Sequence, residues 1–226
     1  MKPARIPQTV AAPERWAELP WGEYYREALE QQLKPWLAKM YGFHLLKIGN
    51  LSAEINTESC AISHQVNVSL GGSPVQVKAD PLHLPFAEKS VDACLLAHAL
   101  PWCSDPHRML READRVLIDD GWLILSGFNP LSLMGLRKLV PVLRRTPPYN
   151  SRMFTMMRQL DWLSLLNFEV LNYGGFHRYV QKSQTTLHCR KSLPRAKALV
   201  FWVNGLNRNQ LKLSATPKIF AGGSRS

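Results

Sequence analysis

The chain has 226 residues, 46% of them hydrophobic and 20% charged, which excludes a disordered or fibrous protein and fits one domain with a substantial core. Its formal net charge of +11 is unevenly placed: residues 1–170 hold all 17 acids and 18 basic residues, whereas residues 171–226 hold ten basic residues and no acid. The body is therefore near neutral, so a basic groove across it is excluded, and nucleic acid is a partner only through the basic tail.

Cys60, Cys94, Cys103 and Cys189 form no C-x-x-C pair and no zinc spacing, and they are too sparse for a disulfide scaffold, as expected of a cytoplasmic protein. The N-terminus lacks an apolar signal core, and no window approaches the ~18 apolar residues of a spanning helix, so neither secretion nor membrane insertion is expected. Nothing in the pattern signals an oligomer.

Residues 1–20 carry Pro3, Pro7, Pro13 and Pro20 with little periodicity and read as an extended arm. Tyr25, Leu29, Leu33, Trp36, Leu37 and Met40 then recur at spacings of three and four, which predicts a helix over 22–40. Its acids lie early and its lysines late, matching the helix dipole, and Pro35 is expected to kink or interrupt it. Strands are predicted at 43–48, ending at Gly49, and at 65–69, where valines alternate with polar residues. After a Gly71-Gly72-Ser73-Pro74 turn, a third strand over 75–79 runs to Asp80.

Residues 90–96 begin polar and become a continuous apolar run, as a central parallel strand does. Asp105 followed by Pro106 is an N-cap with proline at the first helical position, opening a helix to Leu117. A turn at Asp119-Asp120-Gly121, a strand over 122–128, helices over 132–143 and 151–167, and a strand opening at 168–171 follow. This alternation predicts an α/β fold with a doubly wound, mostly parallel sheet. Such sheets bind ligands at the carboxyl ends of their strands, which singles out Gly49, Asp80, His98 and Asn129.

Asp80-x-x-x-Leu84-Pro85-Phe86, then Ser90-Val91-Asp92-Ala93, then Leu110-Arg111-Glu112-Ala113-x-Arg115-Val116-Leu117-x-x-x-Gly121 closely resembles the central block of class I S-adenosylmethionine (SAM)-dependent methyltransferases. Phe128-Asn129-Pro130 and the Gly42-Phe43-His44 entry resemble a small bacterial subgroup of them, and the likeness covers roughly residues 20–170. The resemblance implies a Rossmann-like sheet ending in an antiparallel seventh strand. It implies SAM as cofactor, with Ile48, Gly49, Asn50, Asp80, Pro81, Leu82 and His98 around it. Asp80 and Leu82 would read the adenine ring. His98 is the candidate catalytic base or acceptor-positioning group, a cofactor contact being the alternative, and Asn129 and Tyr24 are candidate substrate residues.

Trp16, Trp21 and Tyr24 form a lid or simply pack on the sheet. Asp92, Glu112 and Arg115 are expected to be structural, and His107 to face solvent. The family's acid and G-x-G-x-G at the end of strand one are reduced here to the single Gly49 within Lys47-Ile48-Gly49-Asn50. Strand two lacks a terminal acid for the ribose hydroxyls, with Asn67, Ser69, Glu54 and Glu58 the nearest polar groups.

Three segments follow: an arm at 1–20, a methyltransferase-like domain at 21–171 and a basic tail at 172–226, in which residues 198–203 are the candidate for strand seven. The tail is either a functional arm or the product of a shift in reading frame near residue 171. Methyl transfer from SAM to an unidentified acceptor is the leading function. A non-catalytic binding module with a degenerate cofactor loop, and an RNA-binding protein or RNA methyltransferase working through the tail, are the alternatives.

Overall fold

The structure is a computed structural model that describes residues 11–72, 75–132, 135, 138, 147–176 and 196–203. Seven strands form one sheet: β1 (His44–Ile48), β2 (His64–Ser69), β3 (Val77–Lys78), β4 (Val91–Ala97), β5 (Leu117–Phe128), β6 (Glu169–Phe176) and β7 (Lys197–Val203). Their order is β3-β2-β1-β4-β5-β7-β6, with every neighbouring pair parallel. The chain runs outward from β1 to β3 and then returns to lay β4 on the other side of β1. The crevice above that reversal is the place a doubly wound sheet leaves for a ligand.

Period-two alternation sends successive residues of each strand to opposite faces. Leu45, Ala93, Leu95, Ile124 and Leu199 face α1 (Gly22–Leu37), which buries Leu29, Leu33 and Leu37 together with Trp16. Leu46, Cys94, Leu96, Leu123, Leu125 and Val200 face α3 (Pro106–Val116) and α4 (Met156–Leu165). A four-residue helix, α2 (Asn50–Ala53), follows β1 directly. The Asp105 carboxylate accepts the Arg108 N–H at 3.1 Å, so α3 begins on the expected N-cap.

Several expectations are corrected. Pro35 does not interrupt α1; it sits in the last turn, where Ala38 N–H still bonds Lys34 O, and the helix ends at Leu37. The third strand shrinks to Val77–Lys78, and α4 is shorter than the helix expected over 151–167. Asp119-Asp120-Gly121 is no separate turn but part of β5. There Val91 pairs Leu117 and Ala93 pairs Trp122, so extra residues bulge from the ladder and expose the two acids. Asp120 Oδ1 in this bulge receives Lys197 Nζ of β7 at 2.5 Å.

The sixth strand continues through Gly174 and Gly175 to Phe176, where no clean strand is expected, because both glycines pair with Phe201 and Trp202. The seventh strand does form at the expected residues, but parallel to β5 and β6 rather than antiparallel. The helix expected over 132–143 lies, apart from Ser132, Gly135 and Lys138, outside the described residues. So do Cys189 and most of the basic tail. The other three cysteines are free.

Candidate functional site

A cavity of about 320 Å³ opens where β1, β2, β3 and β4 end, within the size range of small-molecule sites. Gly49, Asn50, Ser69, Asp80, Pro81, Leu82 and His98 all line it, so six of the seven residues assigned to the cofactor meet there. Ile48 does not; it is fully buried in the core one residue earlier. Among the described residues no lysine or arginine lines the cavity, whereas Glu14 and Asp80 do, so this part of its wall favours a ligand carrying positive charge.

Gly49 leaves β1 at φ +92°, a conformation that glycine adopts without strain, with its N–H on Val68 O at 2.8 Å. Its carbonyl accepts the N–H of Ser52 and of Ala53 as α2 starts. The fully buried Ser52 hydroxyl donates to Ile48 O at 2.6 Å and accepts Ala97 N–H at 2.8 Å, stapling the end of β1 to the end of β4.

Asn50 follows Gly49, and Ser69 ends β2, where the resemblance implies an acid. The Ser69 hydroxyl donates to Asn50 Oδ1, and a Cβ on Gly72 would come within 3.0 Å of the Asn50 amide. This neutral pair therefore spans the mouth between β1 and β2. Two other polar groups near strand two are engaged elsewhere: Glu54 accepts Trp16 N–H at 2.9 Å, and Glu58 accepts from the Asn56 amide.

Asp80 Oδ1 accepts Leu82 N–H at 2.9 Å, and Oδ2 lies 3.3 Å from His83 Nδ1. The Leu82 N–H expected to read a ring edge is thus bonded to Asp80, and Pro81 has no N–H. The Asp80 carboxylate, with lone pairs to spare, remains as this loop's acceptor for an exocyclic amine. Behind the loop, Arg115 bonds Glu112 and reaches Leu84 O and Phe86 O, both at 3.0 Å, while Glu112 accepts Leu84 N–H. Arg115 and Glu112 thus brace the loop.

His98 ends β4 at φ +52°, fully buried. Its ring meets Trp16 edge-on at 4.9 Å and Phe128 at 4.4 Å, and its Nδ1 lies 2.8 Å from Ser126 Oγ. Burial drives its pKa down to about 3, so the imidazole is neutral and a poor proton acceptor at any working pH. Its Nε2 is buried and has no partner among the described residues.

Asn129 and Tyr24 do not line the cavity. Asn129 Oδ1 accepts Leu131 N–H at 3.0 Å in a turn beyond β5, and Tyr24 packs edge-on against Tyr25 at 5.7 Å. Trp16 is core rather than lid, with Nε1 on Leu51 O at 2.8 Å, and Trp21 is exposed. His107 does not simply face solvent; its ring lies 4.4 Å from Trp162. Trp102, Cys103 and Met109 line the cavity unforeseen, as do Ala11 to Glu14. A tryptophan just past the fourth strand was the available signal for Trp102. Among the described residues no group of side chains suits a metal ion, and no helix is long and apolar enough to cross a membrane.

Residues 49–125 match the family described as "Methyltransferase domain". The chain is 80% identical over 177 residues to the uncharacterized protein YafS of Escherichia coli (strain K12), covering 78% of this chain and 74% of that one. Among solved structures, a SAM-dependent methyltransferase of Thermotoga maritima is 21% identical, with TM-score 0.43 over 64% of this chain and 75% of its own. Geranyl diphosphate C-methyltransferase of Streptomyces coelicolor is 14% identical, with TM-score 0.43 over 65% of each chain. The chain belongs with YafS and carries a methyltransferase domain over residues 49–125.

Proposed function

We propose that this protein is a methyltransferase that holds SAM in the cavity above β1–β4 and passes its methyl group to an acceptor, working in the cytoplasm. The convergence of Gly49, Asn50, Asp80, Leu82 and His98 on one cavity carries this reading, since these residues are far apart in sequence and lie where the resemblance puts the cofactor. When bound, SAM supplies an activated methyl group whose transfer needs alignment with the acceptor more than covalent help. The chain's own part is to present Asp80 to an exocyclic amine, to let the backbone at Gly49 approach closely, and to offer the acids Glu14 and Asp80 to a positively charged ligand.

The Asn50–Ser69 pair favours one other reading, a non-catalytic module, because these neutral groups satisfy each other where an acid would read the ribose. Isothermal titration of the full chain with SAM separates the two. Saturable binding below millimolar ligand, weakened about tenfold by Asp80→Ala, is expected. No binding at millimolar SAM by folded protein overturns the enzyme reading.

A further inference from the structure

Two residues that line the cavity carry buried N–H donors with no partner among the described residues. The first is set by Ser126, whose Oγ accepts the His98 backbone N–H at 3.1 Å and also lies 2.8 Å from Nδ1. Both described contacts of that hydroxyl are with His98. Since the backbone N–H takes a lone pair, the hydroxyl proton has Nδ1 as its acceptor. The ring proton then sits on Nε2, the atom without a partner.

The second donor is Trp102 Nε1–H, on a side chain 4% exposed, also buried and unpartnered. An indole N–H can only donate, and Trp16, whose ring lies against His98, does satisfy its own on Leu51 O. Buried donors are rarely left unmade, so two on one cavity mark where a ligand presents acceptors.

We propose that His98 Nε2–H and Trp102 Nε1–H together hold a carboxylate of the bound ligand. This rests on the reading of the cavity as the methyltransferase's small-molecule site. A carboxylate offers two oxygens to two donors, and hydrogen bonds to a charged acceptor are the stronger kind. The acids on the wall, Glu14 and Asp80, suit a carboxylate that arrives with its own positive charge, as in an amino acid. Low basicity keeps His98 in its neutral, donating form. Two ligands can bring the group: the cofactor, through its amino-acid end, or the methyl acceptor.

The test is calorimetry on the full chain and on its His98→Phe, His98→Gln and Trp102→Phe variants. One arm compares S-adenosylhomocysteine with 5′-methylthioadenosine, which lacks the amino acid; the other titrates benzoate and hexanoate into protein saturated with S-adenosylhomocysteine. If the cofactor is the source, the wild type prefers S-adenosylhomocysteine by tenfold or more. His98→Phe and Trp102→Phe then erase that preference, and His98→Gln, which restores an N–H near the same place, recovers part of it. If the acceptor is the source, the same variants weaken only the second arm.

Variants that change neither arm, while S-adenosylhomocysteine still binds, overturn the donor pair and leave the cofactor reading standing. No binding of either adenosine compound overturns both. Independently, a long-range proton–nitrogen NMR spectrum of the free protein is expected to show the Nε2–H tautomer for His98, and an Nδ1–H tautomer or an imidazolium at neutral pH sinks the proposal.

Discussion

Gly42 and Asp92 approach so closely that a Cβ on the glycine would stand 2.4 Å from the aspartate side chain. The reason is that Asp92 Oδ2 accepts the N–H groups of both Phe43 and His44, at 2.9 and 2.8 Å, pinning the entry of β1 to the start of β4. Gly42 itself holds φ +142°, which a side chain would strain. Gly42→Ala is expected to cost about 1–3 kcal/mol and Asp92→Ala about 1–2 kcal/mol in urea unfolding. Ligand affinity should be unchanged, because this contact lies at the opposite end of the strands from the cavity.

Acid should destabilise the protein in a way that begins near neutrality. The folded His98 has its pKa lowered to about 3 by burial, while the unfolded imidazole titrates near 6.5. Between these values the unfolded chain binds the extra proton, so stability falls as pH drops from about 6.5 toward 3, by at most about 1.4 kcal/mol per pH unit. Unfolding free energies of wild type and His98→Gln across this range should differ in slope. Parallel curves would contradict the neutral buried imidazole.

A second acid-sensitive group acts lower. Burial alone would raise the Glu112 pKa, but Arg115 and the Leu84 N–H outweigh it and hold the carboxyl below its ordinary value of 4.5. A lowered carboxylate pKa stabilises the fold above the unfolded value, and the contribution is lost as pH falls through the folded one. Glu112→Gln should therefore cost about 1 kcal/mol at pH 7, a modest figure because the pair is partly solvated, and progressively less as pH falls below the ordinary carboxyl value. Because Glu112 and Arg115 brace the loop after Asp80, the variant should also weaken SAM binding, read by the same titration.

Ser69→Asp puts an acid at the end of β2, where the resemblance implies one. The Asn50 amide can turn to donate to it, and a carboxylate then faces the cavity mouth. Affinity for adenosine-containing ligands is expected to rise about tenfold by calorimetry. Unchanged or weaker binding would mean that the Asn50–Ser69 pair reads the ligand in its own right.

The succession of the first five strands along the chain is legible because alternation, glycine stops and the Asp105-Pro106 cap are local signals that the sheet reinforces. The bulge at Asp119–Gly121 is not, since an acidic dipeptide before glycine reads as a turn in any context and only the register with Val91 and Ala93 makes it strand. Pro35 misled because its cost depends on distance from the helix end, three residues here, which periodicity does not fix. Strand direction at the far edge depends on partners distant in sequence, so β7 could be located but not oriented. At the site, topology singles out Gly49, Asp80, His98 and Asn129, of which the first three line the cavity, while Trp102 lies in a loop between elements and carries no periodic signal.

The N-terminal segment builds the cavity as well as covering the core. Trp16 is anchored through Leu51 and Glu54 and lies against His98, while Ala11 to Glu14 continue as cavity wall. Removing residues up to Glu14 would spare the Trp16 anchor and strip away one side of the binding site. Such a shortened protein would melt almost as the full chain does and yet bind its ligand poorly, so the position of an affinity tag or a cleavage scar at this end bears directly on whether the purified protein can be saturated.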